Sequence, residues 1–123
     1  MTICYCGNHL SFEECCNPYL KGIKKPDTAE ALMRSRYSAF AIKNADYLLA
    51  TTHISTRKNH KKKDILHWAE TNKWTKLEIL ETTQNSITFN AYYLDNHKLP
   101  QIHYEKSEFI FENGNWFYVD GEF

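Results

Sequence analysis

This sequence of 123 residues contains little glycine and little proline, and it has no formal net charge. Four glycines and three prolines are too few for a disordered chain, so most residues are expected in regular structure. Fifteen basic and fifteen acidic side chains cancel, which argues against a general electrostatic attraction to nucleic acid or anionic membranes. The length fits one domain with at most a small appendix.

Long apolar runs are also lacking, because no stretch of the sequence approaches the length that spans a bilayer. The amino terminus lacks the basic start and the apolar centre of a secretory signal. We therefore expect a cytoplasmic protein without membrane contact, in a reducing compartment where disulfides rarely persist.

Cysteine is absent after residue 16, and all four cysteines stand in the segment "CYCGNHLSFEECC". Disulfides, redox-active thiols and metal ligation compete as explanations. Neighbouring cysteines are poor disulfide partners, and the C-x-x-C spacing of thioredoxin-like sites is missing. Four thiolates can instead close a tetrahedral structural zinc site. A group of inert thiols in a loose tail is the remaining alternative.

The spacing C-x-C-x8-C-C resembles the SEC-C motif, the zinc module at the carboxyl terminus of the SecA translocation ATPase. The resemblance implies one structural zinc ion with these ligands: Cys4, Cys6, Cys15 and Cys16. The motif usually continues with Gly-Ser-Gly and lysines, where this chain has "GNHLSFEE", so the basic surface of the SecA module is missing. His9 is a possible competing ligand, although we favour a surface-loop role for it.

Helical periodicity marks three segments before residue 73. They are "KKPDTAEALMRSRYSAFAIKN", in which Asp27 can cap the helix, then "ADYLLATTH" and "KKKDILHWAETN". Four later segments alternate apolar and polar residues, which predicts four strands, and Asn113-Gly114 predicts a tight hairpin turn. Helices followed by an antiparallel meander predict an α+β fold. The long helix then lies across a curved four-stranded sheet with a pocket at its open end.

A string of motifs over nearly the whole chain resembles the YchJ-like family of bacterial proteins. The motifs are "TAEALMRSRYSAF", "DYLLATTHISTR", "WTKLEILET", "EKSEF" and "GNWFYVDGE". That family pairs a SEC-C motif with a domain similar to nuclear transport factor 2, in the cystatin-like class. The resemblance implies a zinc knuckle over residues 1–22 and a cone-like domain over residues 23–123. It implies no particular reaction.

Charged residues beside the apolar face of the long helix are the first candidates for a ligand pocket. Arg34 and Arg36 flank this face next to Tyr37, and buried arginines need carboxylates, carbonyls or an anionic ligand. We favour a structural pair between Arg36 and a sheet carboxylate such as Glu105 over ligand binding. Glu105 and Ser107 share one strand face, where a carboxylate could act as a general base in an isomerase-like site.

The segment after the second predicted helix contains a histidine and a basic run. His53 is a candidate for proton transfer or anion binding at the pocket mouth, and a capping role at the helix terminus is the favoured alternative. The lysine run over residues 58–63 is typical of nucleic-acid-binding proteins, but a solvated loop is the favoured interpretation because the whole chain is neutral.

Two functions fit these patterns best. The first is a zinc-binding adaptor or binding module in which the zinc is structural and not catalytic, because four protein thiolates leave no coordination position for water or substrate. This interpretation leans against an enzyme without deciding the point. Its partner would be an unknown protein. The alternative is a small-molecule-binding protein or enzyme that uses the pocket. A third and weaker hypothesis is RNA association through the lysine run.

Overall fold

The computed structural model of the chain describes residues 3–8 and 10–122. His9, considered above as a ligand, lies outside the described residues. The helices are α1 (Asn17–Leu20), α2 (Ala29–Ala41), α3 (Ala45–Ala50), α4 (Ile54–Arg57) and α5 (Lys62–Thr71). The strands are β1 (Lys73–Thr82), β2 (Ser86–Leu94), β3 (Pro100–Glu112) and β4 (Asn115–Glu122). Helices followed by strands confirm the predicted α+β class.

The four strands form one antiparallel sheet in the order β1-β2-β3-β4. Asn113 and Gly114 connect β3 to β4 with φ angles of 52° and 80°, which is the backbone that the hairpin signal predicts. Two register shifts interrupt the pairing of β1, and another interrupts the pairing of β3 next to Phe109. Bulges bend a strand and increase its twist, so these shifts curve the sheet.

Helix α2 begins one residue later than the sequence predicts. Thr28, not Asp27, is its N-cap, and the Thr28 hydroxyl accepts a hydrogen bond from the Ala31 backbone N–H at 3.0 Å. Thr28 has the extended backbone that an N-cap needs, with φ −140° and ψ 160°. Glu30 pairs with Arg34 at 2.9 Å, one helical turn away, so it stabilises the helix surface.

Burial extends around α2 beyond its apolar stripe. Leu32 and Tyr37 belong to the hydrophobic core, but the polar Ser35 and Ser38 are also completely buried. The Ser35 hydroxyl shares a 2.6 Å hydrogen bond with the Tyr47 hydroxyl of α3. The sheet, α3 and the amino-terminal segment therefore cover different sides of this helix.

The described residues form two separate clusters of buried apolar side chains. The main core lies between α2 and the inner face of the sheet, and its members are Ala29, Leu32, Met33, Tyr37, Leu77, Ile87, Phe89, Ala91 and Phe109. The second cluster consists of the four cysteines with Phe12 packed against them. The domain boundary between residues 22 and 23 stays a prediction.

The segment between α3 and α4 fastens the helices to the sheet edge. Thr52 forms a parallel bridge with Tyr118 of β4, the last strand of the sheet. The His53 backbone N–H donates to the Tyr118 carbonyl at 2.7 Å, and the Tyr118 N–H donates to the Thr51 carbonyl at 2.8 Å. This pairing covers an otherwise open edge, so the motif "TTHISTR" has a structural role.

All helices of the structure are short. The longest, α2, has 13 residues, and no helix among the described residues is long and apolar enough to cross a membrane. The second helix that the sequence predicts, "ADYLLATTH", is shorter in the structure, because α3 stops at Ala50. Helix α4, which starts at Ile54, lies after the predicted segment and was not predicted.

Candidate functional site

The amino-terminal segment folds into a small loop that we call the cysteine knuckle (residues 3–8 and 10–22). An antiparallel bridge pairs Ile3 with Ser11 across this loop. Gly7 follows Cys6 and adopts a φ of 91°, which side chains with a Cβ rarely accept. The chain can therefore reverse immediately after Cys6, which keeps the thiols of Cys4 and Cys6 on the inner side of the loop.

A helical turn positions the second pair of cysteines. The Ser11 carbonyl accepts hydrogen bonds from the backbone N–H of Glu14 at 3.1 Å and of Cys15 at 2.9 Å. Cys16 is the N-cap residue of α1, and its carbonyl accepts from the Tyr19 N–H at 3.0 Å. Local backbone hydrogen bonds thus fix both cysteines against the loop that carries the first pair.

The four cysteine side chains converge on one point. Their Sγ atoms all lie within 4.8 Å of one another, and all four residues are buried. The Sγ atoms of Cys6 and Cys15 are 3.6 Å apart and those of Cys15 and Cys16 are 3.9 Å apart, so these thiols are free. A tetrahedral ion with sulfur ligands at about 2.3 Å separates its sulfur atoms by about 3.8 Å. The spacing therefore fits a single metal ion.

Crowding shifts the pKa values of three of the thiols in different directions. Hydrogen bonds with Cys16 and Cys6 hold the pKa of Cys4 far below its ordinary value. The hydrogen bonds of Cys16 to Cys4 and Cys6, together with burial, raise the pKa of Cys16. The hydrogen bond between Cys6 and Cys16 acts to lower the Cys6 pKa, but the bond to Cys4 and burial outweigh it and raise that pKa to about 11. A divalent cation would let Cys6 and Cys16 ionise beside Cys4.

Polar groups next to the sulfur atoms complete the centre. The Asn8 side-chain amide donates to Cys15 Sγ at 3.5 Å, and the Ser38 hydroxyl of α2 lies 3.6 Å from Cys4 Sγ. Such outer contacts orient metal ligands and stabilise their negative charge. The four cysteines can therefore hold a metal ion, and an all-thiolate set suits zinc or an iron–sulfur centre.

Arg34 joins the cysteine knuckle to α2. Its Nη1 donates to the Cys6 carbonyl at 2.7 Å, and its Nε donates to the Glu30 carboxylate at 2.9 Å. Burial acts to lower the Arg34 pKa, but Glu30 and the nearby Cys6 outweigh it and raise that pKa. A positive charge at this point also balances the negative charge that four thiolates around a divalent ion would carry.

A cavity of about 360 Å³ opens on the other side of α2, between the helices and the inner face of the sheet. This volume is at the lower end of the range for small-molecule sites. Its aromatic walls include Tyr37, Phe40, Trp68, Trp74 and Phe89, and its polar groups include Arg36, His103, Glu105, Ser107 and Tyr118. The cavity is thus mostly apolar, with a few charged groups in its wall.

Glu105 is a buried carboxylate in the cavity wall, only 7 % exposed. Its Oε2 accepts hydrogen bonds from the Ser107 hydroxyl at 2.6 Å and from the Tyr118 hydroxyl at 3.0 Å. His103 Nε2 lies 2.8 Å from the other oxygen, Oε1. Burial opposes ionisation of Glu105, but the hydrogen bonds with His103, Ser107 and Tyr118 outweigh it and lower the pKa. Glu105 is therefore a stabilised carboxylate.

Gly121 makes room for this carboxylate. A Cβ atom built on Gly121 would overlap the Glu105 side chain at Oε2 and Cδ. Gly121 pairs with Ser107 across β3 and β4, so the glycine lies directly beside the Glu105 hydrogen-bond network. Close approach, not a special φ angle, is the reason for glycine at this position.

Arg36 is a buried cation in the same cavity wall, 8 % exposed. Its Nη1 donates to the Leu48 carbonyl at 2.9 Å and to the Thr51 hydroxyl at 2.7 Å. The guanidinium lies over the Tyr118 ring, 4.4 Å from the ring centroid. Burial lowers the Arg36 pKa to about 10, against the opposing effect of Tyr118 and Glu105.

The predicted direct pair between Arg36 and Glu105 is absent. No ion pair joins Arg36 to any carboxylate of the described residues. Tyr118 stands between the two side chains, since its ring stacks on Arg36 and its hydroxyl donates to Glu105. The opposite charges interact only across this ring.

Two other residues of the cavity wall have polar atoms without partners in the described part of the chain. The Tyr37 hydroxyl and the Trp74 indole Nε1 are buried and have no hydrogen bond to any described residue. Their rings meet edge to face, with centroids 6.3 Å apart. Burial raises the Tyr37 pKa, with a further contribution from Cys6. Buried polar groups are normally paired, so both atoms mark unmet hydrogen-bonding capacity.

Comparison with known proteins places this architecture in a family. The family model described as "YchJ, middle NTF2-like domain" matches residues 28–121. A UPF0225 protein of Photorhabdus laumondii is 36% identical over 126 residues, which cover 97% of this chain and 79% of the relative. A UPF0225 protein of an Enterobacter species is 37% identical over 125 residues, covering 97% and 82% of the two chains. The chain belongs to the YchJ-like UPF0225 family.

Two solved structures share the fold of this YchJ-like protein. The solution structure of a SEC-C motif containing protein from Rhodopseudomonas palustris has a TM-score of 0.89 at 31% identity, covering 97% of this chain and 96% of the other. The crystal structure of a SEC-C motif containing protein from Psychrobacter arcticus has a TM-score of 0.77 at 28% identity, covering 93% and 73%. The predicted family and its helix-on-sheet fold are confirmed.

The YchJ-like fold brings four of the six predicted pocket residues together: Arg36, Tyr37, Glu105 and Ser107 all line the cavity. Arg34 does not line the cavity, because its side chain extends toward the cysteine knuckle and contacts the Cys6 carbonyl. His53 does not line it either.

His53 lies at the start of α4 instead. Its Nδ1 accepts a hydrogen bond from the Ser55 backbone N–H at 3.1 Å, so the imidazole caps this helix. Its Nε2 lies 3.1 Å from the Glu112 carboxylate of β3, which is 59 residues away in the sequence. The structure thus gives His53 a capping role and an acidic partner outside the cavity.

The lysine run of the YchJ-like chain lies in solvent. Residues 58–63 are all exposed, and Lys62 pairs with Asp46 of α3 at 2.8 Å. Both partners of this pair are more than half exposed, so the pair contributes little to stability. The arrangement agrees with a solvated loop, and association with RNA stays an untested prediction.

Sequence reasoning missed several residues that shape the cavity, among them Trp68, Tyr118 and Gly121. Tyr118 follows the period-two alternation of "NWFYVDG", and that pattern could have placed it on the inner face with Trp116. Gly121 gives no comparable signal, because its function depends on Glu105 of the neighbouring strand.

Proposed function

We propose that this YchJ-like protein is a zinc-stabilised binding module in which the metal is structural. Four buried, free cysteine thiols whose Sγ atoms lie within 4.8 Å of one another carry this proposal. Zinc favours four cysteines in tetrahedral structural sites, and such a set leaves no position for water or substrate. The expected reducing compartment keeps the thiols available for the metal.

The metal would hold the cysteine knuckle in the conformation that contacts α2. Arg34 contacts the Cys6 carbonyl, and Ser38 lies beside Cys4 Sγ, so both contacts need the cysteines in these positions. Small loops with few apolar contacts rarely keep one conformation without such a crosslink. A protein partner, as an adaptor role requires, stays a prediction.

Metal analysis of the full-length protein, purified under reducing conditions, tests the metal and its ligands. We expect one zinc ion per chain in the natural sequence and a loss of most zinc in Cys16→Ser. Ser38→Ala is the matched control, because Ser38 lies 3.6 Å from Cys4 Sγ but provides no ligand, and it should retain zinc. Iron in place of zinc, or full zinc content in Cys16→Ser, would contradict the proposal.

The cavity supports a second function, the binding of a small molecule. The supporting observation is Arg36, a buried cation in the wall of an aromatic cavity. Arg36 forms no ion pair with a carboxylate of the described residues. Binding is favoured over catalysis, because Glu105 accepts hydrogen bonds that lower its pKa and a carboxylate of low pKa is a weak general base. The ligand panel described below tests this function.

A further inference from the structure

We propose that the cavity binds a small aromatic carboxylic acid, with the ligand carboxylate on Arg36 and its ring against the tryptophan walls. This inference rests on the proposed small-molecule function of the cavity and specifies the chemical class of the ligand. It is independent of the metal at the cysteine knuckle, which lies on the other side of α2.

The guanidinium of Arg36 carries the argument, because only part of it is used by the protein. Among the described residues, its hydrogen bonds all start from Nη1 and end on neutral oxygens of Leu48, Thr51 and Thr52. Nε and Nη2 donate to no described group. Neither atom is among the fully buried polar atoms that lack a hydrogen-bond partner. A buried cation without an anion is costly, and a guanidinium edge can bind a carboxylate through two hydrogen bonds.

Glu105 does not favour a cationic ligand in the same way, because groups of the protein already surround its carboxylate. Its carboxylate already has three neighbours, the Ser107 hydroxyl, the Tyr118 hydroxyl and His103 Nε2, all within 3.0 Å. The Tyr118 ring also separates Glu105 from Arg36, so the Glu105 charge cannot contact the guanidinium directly. Asp64 also lines the cavity, but it is exposed to solvent. Among the described residues, Arg36 is therefore the buried charge of the cavity wall that no opposite charge contacts directly.

The aromatic side chains of the cavity wall favour an acid that carries an aromatic ring. Trp68 and Trp74 meet at 65° with ring centroids 5.7 Å apart, and Phe40 packs on Trp74 at 5.7 Å. Aromatic faces and edges of this kind accept another ring in stacked or edge-to-face contact. A cavity of about 360 Å³ has room for one or two rings with a short acidic side chain.

A matched ligand panel on the full-length protein tests the class. The probes are phenylacetate, its neutral amide phenylacetamide and the cation phenethylamine, titrated into isotopically labelled protein and followed by NMR. We expect phenylacetate to bind with a Kd on the order of 1 mM, as its size allows. The amide and the amine should bind at least about 10-fold more weakly, because neither supplies a negative charge to Arg36.

The tryptophan side chains report where the probe binds. The indole N–H signals of Trp68 and Trp74, which line the cavity, should move with phenylacetate. Trp116 is the internal control, because it does not line this cavity, and its signal should stay in place.

Two variants separate the charge from the shape of the site. Arg36→Gln should weaken phenylacetate binding at least about 10-fold and leave phenylacetamide binding unchanged. Glu105→Gln should bind phenylacetate more tightly than the natural sequence, because it removes a negative charge from the cavity wall. Arg36 also holds the end of α3, so circular dichroism must show that Arg36→Gln is folded. If it is not, the acid, amide and amine comparison on the natural sequence still decides.

The possible failures are distinguishable. Tighter binding of phenethylamine or equal binding of the amide, with movement of the Trp68 and Trp74 signals, would overturn the acid class and leave the cavity as a binding site. Absence of any movement with all three probes would overturn both the ligand class and the small-molecule function. Movement of Trp116 alone would place the probe elsewhere and overturn the assignment.

Discussion

Arg34 and Arg36 stand two residues apart on α2 and face different parts of the molecule. Arg34 contacts the Glu30 carboxylate at 2.9 Å and the Cys6 carbonyl at 2.7 Å. Arg36 contacts only neutral oxygens and an aromatic ring. On the side of the cysteine knuckle, the chain supplies a counter-charge from its own sequence. On the cavity side no carboxylate of the described residues contacts Arg36, and Glu105 acts on it only across the Tyr118 ring.

This difference separates a structural interface from a binding site. A structural interface must be complete when the chain folds, because every unpaired buried charge lowers the stability. A binding site can leave part of its hydrogen-bonding capacity to the ligand, at the cost of some stability in the unliganded protein. The knuckle side of α2 fits the first description, and the cavity side fits the second.

Metal removal should have the largest effect and should be confined to the knuckle side. In reduced protein treated with a strong zinc chelator, backbone amides such as those of Cys4 and Cys15 should exchange with solvent at least about 1000-fold faster, about 4 kcal/mol of lost protection. Amides of Phe89 and Ala91, in the main core, should keep their protection within about 10-fold, because that core contains no cysteine. Hydrogen exchange read by mass spectrometry or NMR measures both regions.

The same experiment tests the boundary predicted between residues 22 and 23. Equal loss of protection in the knuckle and in β2 would show that the two regions unfold as one unit. Unchanged exchange at Cys4 and Cys15 after chelator treatment would show that the knuckle does not depend on a bound metal. Either result would remove the contrast between the two sides of α2.

Gly121→Ala should have the next largest effect, on the cavity side. The new Cβ would overlap the Glu105 carboxylate, so the carboxylate must leave its hydrogen bonds or the strands must separate. We expect a loss of about 2 to 3 kcal/mol in the free energy of unfolding, measured by urea denaturation. Glu105→Ala removes the overlapped atoms, so in that background Gly121→Ala should cost less than about 1 kcal/mol. Equal costs in both backgrounds would show that Glu105 is not the reason for glycine.

Local signals in the sequence predict most of this fold. The strands carry period-two alternation, the Asn113-Gly114 hairpin needs residues that accept positive φ, and the cysteine spacing sets which thiols can meet. These features depend on neighbours within about a dozen residues, so one sequence is enough to recognise them. The cap of α2 was missed by one residue, because Asp27 and Thr28 are both good capping residues.

The charge pattern inside the molecule was harder to predict, because it depends on distant contacts. The sequence suggested that Arg36 pairs with Glu105, yet the ring of Tyr118 from β4 occupies the space between them. His53 had no acidic neighbour in the sequence, yet the fold brings Glu112 to 3.1 Å. Residue type shows that a buried charge needs a partner, and only the tertiary structure shows which partner it has.

The smallest predicted effect concerns the hydroxyls of two tyrosines on the helices. It tests whether polar groups beside the cavity lack partners that other buried polar groups have. The Tyr37 hydroxyl, beside the cavity, has no partner among the described residues, whereas the Tyr47 hydroxyl shares a 2.6 Å hydrogen bond with Ser35. Tyr37→Phe should therefore raise the free energy of unfolding by about 1 kcal/mol, and Tyr47→Phe should lower it by about as much. Urea denaturation of both variants measures the difference. Destabilisation by Tyr37→Phe as large as that by Tyr47→Phe would mean that the Tyr37 hydroxyl has a partner in solution. Unmet polar capacity on the cavity side would then be limited to Trp74 and Arg36.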